Sequence, residues 1–187
     1  GESFNVTNVS HLIYTHGNGD GRNCGERIAV DPNNSKIIYC GGRAKNPLIK
    51  SENGGASWSA VSSFPSNVYS VNKKWNSWDA NTECTTTEDD NGTTAVVFDG
   101  SQKKNGITQR IFVGISRTTA SNVYVSEDGG ASWSAVTSLP TDFIPCKMRM
   151  DPNGNLLIAY SNKKAYGTSG AIYRYNPNTQ TAVNISP

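Results

Sequence analysis

Short apolar runs separated by turn-forming residues recur along the whole chain, which is the pattern of β-strands joined by tight turns. The run Leu-Leu-Ile-Ala-Tyr at 156–160 is among the longest, and it has the length of a strand. A run of this length is too short to cross a bilayer. The runs form three successive groups of four, and the strands they predict are 26–30, 36–41, 47–51 and 57–61, then 94–98, 110–115, 122–126 and 132–136, then 147–150, 155–160, 171–175 and 181–185.

Two motifs recur within these groups. Residues 54–61 and 129–136 both read Gly-Gly-Ala-Ser-Trp-Ser-Ala-Val, and the similarity continues on both sides. A second pattern, apolar-x-apolar-Asp-Pro-Asn, occurs at 28–33 and 148–153, with a looser copy at 95–100. Eight identical residues in the same order are far beyond chance, so the chain contains copies of one structural unit.

Four-stranded units repeated along a chain are typical of propeller blades. We therefore predict an all-β fold, a β-propeller segment of about three four-stranded antiparallel blades plus one leading strand, and we expect it to be a piece of a larger propeller. The predicted division is 1–25 for the last strand of a preceding blade and a loop, 26–65 for a blade, 66–93 for a long inter-blade loop, 94–140 for a blade and 141–187 for a blade with a degenerate repeat.

The duplicated motif reads Ser-x-Asp-x-Gly-x-x-Trp, the type of repeat called an Asp box or BNR repeat, and it fits a hairpin between the third and fourth strands. The carboxylate of Asp128 can accept backbone N–H groups of the turn, and Asn53 can do so through its amide oxygen. The indole rings of Trp58 and Trp133 can then fill space between neighbouring sheets. We interpret both boxes as scaffold rather than catalytic machinery.

Composition excludes several classes of function. The net charge is +2 and 17% of residues are charged, so the chain has no basic patch for nucleic acid.

Four cysteines, Cys24, Cys40, Cys84 and Cys146, form no C-x-x-C pair, and no metal-ligand spacing occurs. Two disulfides and a buried free thiol at Cys40 are both compatible with this count. We expect no cofactor, no metal, no nucleic-acid partner and no membrane association, and the richness in Ser, Thr and Asn favours a secreted protein.

The loops opposite the boxes are where we expect a ligand. In a four-stranded antiparallel blade, the 2–3 loops and the inter-blade connections share one face. Long connections in repeat proteins are often functional, and exposed aromatic rings beside polar groups suit the C–H faces of sugars. The predicted substrate-binding residues are Tyr69, Trp75, Trp78, Arg22, Arg43 and Tyr166. The alternatives are that Trp75 and Trp78 anchor the loop onto the blade and that Arg22 belongs to an ion-pair network with Glu26 and Arg27.

The chain resembles glycoside hydrolase family 74, the secreted xyloglucanases and related oligoxyloglucan-releasing enzymes. The segment 17–34 is very similar to the family pattern N-G-x-G-R-x-x-G-E-R-L-A-V-D-P-x-N, and 50–58, 110–114 and 123–126 also fit. The resemblance implies two seven-bladed propellers with an open cleft between them. It also implies inverting cleavage of β-1,4-glucan backbones that bear xylose branches, with this chain matching about three blades of the N-terminal propeller.

The sequence departs from the family at the catalytic positions. The two catalytic aspartates of the family lie in Asp-Ile-Gly-Gly motifs, and neither motif occurs here, so we assign no catalytic residue. We expect the chain to supply substrate-binding subsites for a plant cell-wall glucan such as xyloglucan, completed by missing propeller blades or a second chain. One alternative is a non-catalytic carbohydrate-binding propeller module. Another is a sialidase- or sortilin-like propeller, in which Arg22, Arg43 and Arg117 would form an arginine cluster.

Overall fold

The computed structural model describes residues 26–42, 48–68, 92–118, 120–162 and 169–187. Apart from a 3-10 turn at Ser66–Val68, the regular structure in these residues is all strand. The strands are β1 Ile28–Asp31, β2 Asn34–Gly41, β3 Leu48–Ser51, β4 Ser59–Ala60, β5 Thr93–Phe98, β6 Lys103–Lys104, β7 Ile107–Thr108, β8 Ile111–Ile115, β9 Val123–Ser126, β10 Ser134–Ala135, β11 Ile144–Met150, β12 Leu156–Ser161, β13 Gly170–Asn176 and β14 Thr181–Asn184.

The strands form three four-stranded antiparallel sheets. Sheet 1 has the order β1-β2-β3-β4, sheet 2 has the order β5-β8-β9-β10 and sheet 3 has the order β11-β12-β13-β14. These are the three predicted groups of four, so the prediction of an all-β fold with four-stranded antiparallel units is confirmed. The predicted leading strand lies outside the described residues, and the exact division of the chain into domains stays a prediction.

A small hairpin, β6 paired with β7, was not predicted and lies between the first two strands of sheet 2. Its turn contains Asn105 and Gly106, both with positive φ, at 53° and 74°. Asn-Gly between short extended segments is a strong signal for a tight hairpin turn. The sequence therefore contained a signal for this element.

The strand register shows which residues occupy equivalent positions in the three sheets. The pairs Val30↔Ile38, Phe98↔Ile111 and Met150↔Leu156 join the first two strands of each sheet at the same point. Because side chains alternate between faces along a strand, counting from these pairs gives three sets of equivalent residues. They are Ile28, Val96 and Met148 in the first strands, Tyr39, Phe112 and Leu157 in the second, and Leu48, Val123 and Ile172 in the third.

One hydrophobic core fills the space between sheets 1 and 2. Tyr39 and Phe64 on one side meet Tyr124 and Trp133 on the other. The ring of Trp133 lies 5.0 Å from that of Phe64 and 6.5 Å from that of Tyr39, in edge-on arrangements that aromatic pairs prefer. The interpretation that this tryptophan fills space between neighbouring sheets is confirmed.

A second core lies between sheets 2 and 3. Phe112 and Val123 of sheet 2 pack with Leu156, Ile158 and Tyr175 of sheet 3, and each of these five residues is buried. At the first strands, β5 contacts both β1 and β11. The sheets therefore follow one another face to face with their first strands adjacent, as consecutive propeller blades do.

Sheets 1 and 2 are also joined by a polar contact at the β1–β2 turn. The buried carboxylate of Asp31 accepts hydrogen bonds from the backbone N–H of Thr108, at 3.0 Å, and from its hydroxyl. The side-chain amide of Asn33 donates to the Gly100 carbonyl at 2.9 Å. The Asp-Pro-Asn motif is thus a turn, as its sequence suggests, and also a joint to the next sheet.

The joint between sheets 2 and 3 is built around a buried guanidinium. Arg110 donates through Nε to both carboxylate oxygens of Glu127, at 2.8 and 3.0 Å. Its Nη1 donates to Asp99 and to the side-chain oxygen of Asn178, each at 3.2 Å. Asn178 lies in the β13–β14 turn, so one side chain of sheet 2 binds the turn of sheet 3.

Candidate functional site

The second copy of the repeated motif is a hairpin turn held by one carboxylate. Asp128 Oδ1 accepts hydrogen bonds from the Ser132 N–H and the Ser126 hydroxyl, both at 2.8 Å. Asp128 Oδ2 accepts the Ser132 hydroxyl at 2.6 Å. These bonds, with that from the Ser132 side chain the largest contribution, lower the pKa of this exposed carboxyl.

The first copy has the same geometry with an amide in place of the carboxylate. Asn53 Oδ1 accepts from the Ser57 N–H at 2.8 Å and from the Ser51 hydroxyl at 3.0 Å. Its side-chain nitrogen donates to the Ser57 hydroxyl at 2.8 Å. In both copies the polar side chains bind their own turn, which fits a scaffold role and directs attention to the opposite end of the sheets.

The opposite end of the sheets, which we call the loop face, contains the ends of the 2–3 loops and of the connections between sheets. Three of these ends are joined by hydrogen bonds. The Thr93 N–H donates to the Gly42 carbonyl at 2.9 Å. The Gly92 N–H donates to the Ser116 hydroxyl at 2.9 Å, and the Ser116 N–H donates to the Gly92 carbonyl at 2.8 Å. The loop face is therefore a continuous hydrogen-bonded rim from sheet 1 to sheet 2.

A glycine makes this rim possible. A Cβ at Gly41 would overlap the side chain of Thr93, so the end of β2 can approach the start of β5 only without a side chain. In sheet 2 the equivalent residue is Gly114, where a Cβ would lie 2.8 Å from the sulfur of Met148 in sheet 3. Both equivalent glycines thus leave room for a side chain of the next sheet.

Each predicted substrate-binding residue lies outside the described residues, so the structure does not test them individually. The described residues next to them all lie on the loop face: Glu26 follows 1–25, Gly42 precedes 43–47, Gly92 follows 69–91, and Asn162 precedes 163–168. The Glu26 carbonyl accepts the Val96 N–H at 3.2 Å. The structure therefore places on one face the attachment points of the four segments that contain Arg22, Arg43, Tyr69, Trp75, Trp78 and Tyr166.

Arg117, the described member of the alternative arginine cluster, binds its own loop. Its Nε and Nη2 donate to the Ser121 carbonyl at 2.9 and 2.5 Å, and Nη2 also donates to the Tyr124 hydroxyl at 2.8 Å. The guanidinium carbon lies 5.9 Å from the centre of the Tyr124 ring. These contacts position the β8–β9 loop and argue against Arg117 as a ligand-binding arginine.

Asn122 is a loop-face residue that sequence reasoning missed. It is buried, and its side-chain nitrogen donates to the Arg117 carbonyl at 3.1 Å and to the Phe143 carbonyl at 2.6 Å. It therefore ties the β8–β9 loop to the connection that leads to β11. The sequence shows only a polar residue before an apolar strand, which gives no sign of a partner 21 positions away.

Comparison with known proteins identifies the family. No family model matches the chain. The structure of a family 74 glycoside hydrolase from Niastella koreensis superposes with a TM-score of 0.76 at 37% identity, covering 96% of this chain and 24% of that one. A family 74 xyloglucanase from Xanthomonas campestris gives a TM-score of 0.72 at 31% identity, over 89% and 23% of the two chains. The chain belongs to glycoside hydrolase family 74.

Curated relatives of the family agree. A xyloglucanase of Paenibacillus sp. is 40% identical over 190 residues, which is 100% of this chain and 17% of the relative. A xyloglucanase of Hypocrea jecorina is 37% identical over 191 residues, which is 100% of this chain and 22% of the relative. The chain thus spans less than a quarter of the length of each of these two relatives. The match to family 74 structures also confirms the prediction of a propeller segment.

Within the described ranges, no three His, Cys, Asp or Glu side chains are grouped so that they could hold a metal ion. No helix of the described residues is long and apolar enough to span a membrane. Cys40 is a half-buried free thiol, and burial raises its pKa. Cys24 and Cys84 lie outside the described residues.

Proposed function

We propose that this chain is part of a secreted xyloglucan-active enzyme that hydrolyses the β-1,4-glucan backbone by inversion, and that it forms about three blades of the N-terminal propeller. The observation that carries the proposal is the ordered match along the whole chain to two xyloglucanases, at 40% and 37% identity. In this proposal the two turns at Asn53 and Asp128 are Asp-box repeats, which are consistent with that propeller.

In this proposal the chain contributes substrate-binding subsites. The four segments that contain the predicted binding residues are attached to one face, and two of their attachment points, Gly42 and Gly92, lie on the hydrogen-bonded rim from Gly42 to Ser116. An extended glucan needs several aromatic and polar groups along one surface. Trp75 and Trp78 belong to the longest of these segments, and their rings suit the C–H faces of glucose units.

The catalytic acids belong elsewhere in the whole enzyme. Inverting hydrolysis needs two carboxyl groups separated by about 6.5–9.5 Å, so that a water molecule fits between one of them and the sugar. Neither family motif that would supply them occurs in this chain. The remaining blades, in a longer polypeptide or in a second chain, would supply both carboxyl groups and complete the cleft.

Affinity electrophoresis in gels that contain xyloglucan tests the binding role. We expect the wild-type chain to be retarded, and we expect Trp75→Ala combined with Trp78→Ala to remove most of the retardation. Trp58→Phe is the matched control, because this ring belongs to a box at the opposite end of sheet 1 and its loss should leave retardation unchanged. Equal mobility of the double variant and the wild type would reject the sugar-binding role of this loop.

A further inference from the structure

Asn-Gly pairs lie in three turns of the described residues, at 53–54, 105–106 and 153–154. Asparagine is a chemically labile residue, and it is most labile before glycine, which has no side chain to shield its backbone nitrogen. All three asparagines are exposed. Differences in their reactivity therefore depend on the hydrogen bonds that hold each turn.

The Asn53–Gly54 pair is held at both of its reacting groups. The Asn53 side chain accepts hydrogen bonds from Ser57 and Ser51 through Oδ1, and it donates to the Ser57 hydroxyl through Nδ2. The Gly54 N–H donates to the Lys36 carbonyl at 2.9 Å. The glycine nitrogen can reach the side-chain amide only after most of these bonds break.

The other two pairs are held less tightly. The Asn153 side chain has no hydrogen-bond partner in the described part of the chain, but the Gly154 N–H donates to the Asp151 carbonyl at 3.1 Å. Neither the Asn105 side chain nor the Gly106 N–H has a hydrogen-bond partner among the described residues. The strands on either side of this turn have two residues each. A hairpin this short opens at little cost.

We propose that Asn105 is a site of spontaneous deamidation, and that its modification loosens the joint between sheets 1 and 2. The Gly106 backbone nitrogen gives its proton to base and forms a bond to Asn105 Cγ. The Cγ–Nδ2 bond breaks, and the side-chain nitrogen leaves as ammonia with a proton from solvent. Water then adds across one of the two C–N bonds of the cyclic imide, and the product is aspartate or isoaspartate.

The isoaspartate product affects the joint through the register of the hairpin. It adds one methylene group to the main chain inside a two-residue turn, whereas the present register pairs Lys104 with Ile107 and Lys103 with Thr108. Thr108 donates its backbone N–H and its hydroxyl to the buried carboxylate of Asp31 in sheet 1. A shift of β7 therefore displaces the two donors that Asp31 needs.

Peptide mapping by mass spectrometry after incubation in mildly alkaline buffer tests the site. We expect Asn105 to be converted about tenfold faster than Asn53 or more, the factor that two net hydrogen bonds contribute. In concentrated urea the two rates should converge, because both asparagines precede glycine and neither turn is folded. Equal rates in the folded protein, or rates that remain different in urea, would overturn the proposal.

The effect on the joint is tested with Asn105→Gly, which removes the amide and keeps a Gly-Gly sequence that suits the same turn. The other Asn-Gly pairs are unchanged in this variant, so it controls for their modification. After the same incubation, the urea midpoint of the wild type should fall with its isoaspartate content, measured by enzymatic methylation, and that of the variant should fall less. An equal fall in both proteins would show that the joint is unaffected. The result does not depend on whether the chain binds xyloglucan.

Discussion

A single side-chain oxygen organises each of the two repeated turns. In one turn it belongs to the carboxylate of Asp128 and in the other to the amide of Asn53, and it accepts the same two kinds of hydrogen bond in both. Two differences remain: the carboxylate titrates and the amide does not, and the second side-chain atom accepts from Ser132 in one turn but donates to Ser57 in the other. The chain thus contains its own internal control for the role of charge in the turn.

Acid should destabilise the Asp128 turn selectively. Hydrogen bonds hold the pKa of Asp128 below its unfolded value, so the stabilisation is complete above that unfolded pKa of about 4 and is lost as pH falls through the folded pKa. We expect the urea midpoint of the wild type to fall more steeply than that of Asp128→Asn as pH decreases from about 5 to 2. Asn53→Asp should have the opposite effect and add acid sensitivity. Parallel pH profiles for all three proteins would contradict this account.

Two equivalent glycines allow the effect of backbone strain on stability to be measured separately from the effect of steric overlap. Gly130 and Gly55 have φ values of 92° and 91°, and a Cβ at Gly130 would overlap the hydroxyl of Tyr39, whereas at Gly55 the nearest atom is Ile38 Cδ1 at 3.8 Å. Both alanine variants carry the same strain, but only Gly130→Ala must displace a buried tyrosine. We expect Gly130→Ala to lower the free energy of unfolding by about 1–3 kcal/mol more than Gly55→Ala does. Equal losses in urea titrations would show that the overlap relaxes freely.

Elements are joined to one another by the Asp-Pro-Asn turns and their looser copy, and each copy binds differently. Asp31 binds Thr108 of the β6–β7 hairpin, Asp99 binds Arg110, and Asp151 accepts hydrogen bonds from Asn155 within its own turn. The sequence predicted the turns, because Asp and Pro act over a few residues. It did not predict the joints, because Thr108 lies 77 positions from Asp31 and becomes its neighbour only when the sheets pack.

Removal of Arg110 should loosen the joint between sheets 2 and 3. Arg110→Met keeps the aliphatic part of the side chain but leaves the buried carboxylate of Asp99 without its cation. We expect a loss of about 3 kcal/mol in the free energy of unfolding, the range for breaking a buried ion pair from one side.

The pair of Lys50 and Glu52, in which the carboxylate side chain is 73% exposed, provides the control for this measurement. Glu52→Gln should cost less than about 1 kcal/mol in the same urea titration, because water already solvates this carboxylate. Similar losses for the Arg110 and Glu52 variants would mean that the joint contributes no more than a surface ion pair.

At the scale of the whole molecule, each of the three described sheets packs on the next. Each contact between sheets buries aliphatic and aromatic side chains, whereas the equivalent residues on the outer faces, Ile28 and Ile172, are exposed. When further sheets complete a radial series of sheets, its strand edges and sheet faces are no longer exposed to association with other chains. The three packed sheets are therefore consistent with the larger propeller that we propose.

The isolated chain should bind xyloglucan without cleaving it. We expect no new reducing ends when the purified chain is incubated with the polysaccharide, because neither family motif with a catalytic aspartate is present. A reducing-sugar assay with a complete family 74 xyloglucanase as the positive control provides the measurement. Product release that persists in an independently purified preparation would show that other carboxylates of this chain catalyse the reaction.

Local patterns in the sequence determined the strands, the repeated turns and the family. Alternation, turn residues and an eight-residue duplication are patterns that act over short distances. The sequence therefore contained signals for the three sheets and for the tight Asn-Gly hairpin, although the hairpin was not predicted. Only the tertiary structure decided which sheet faces are covered, that Arg117 and Asn122 hold loops, and that Arg110 joins two sheets. These features depend on contacts between residues far apart in sequence, whose distances are set by the packing of whole sheets.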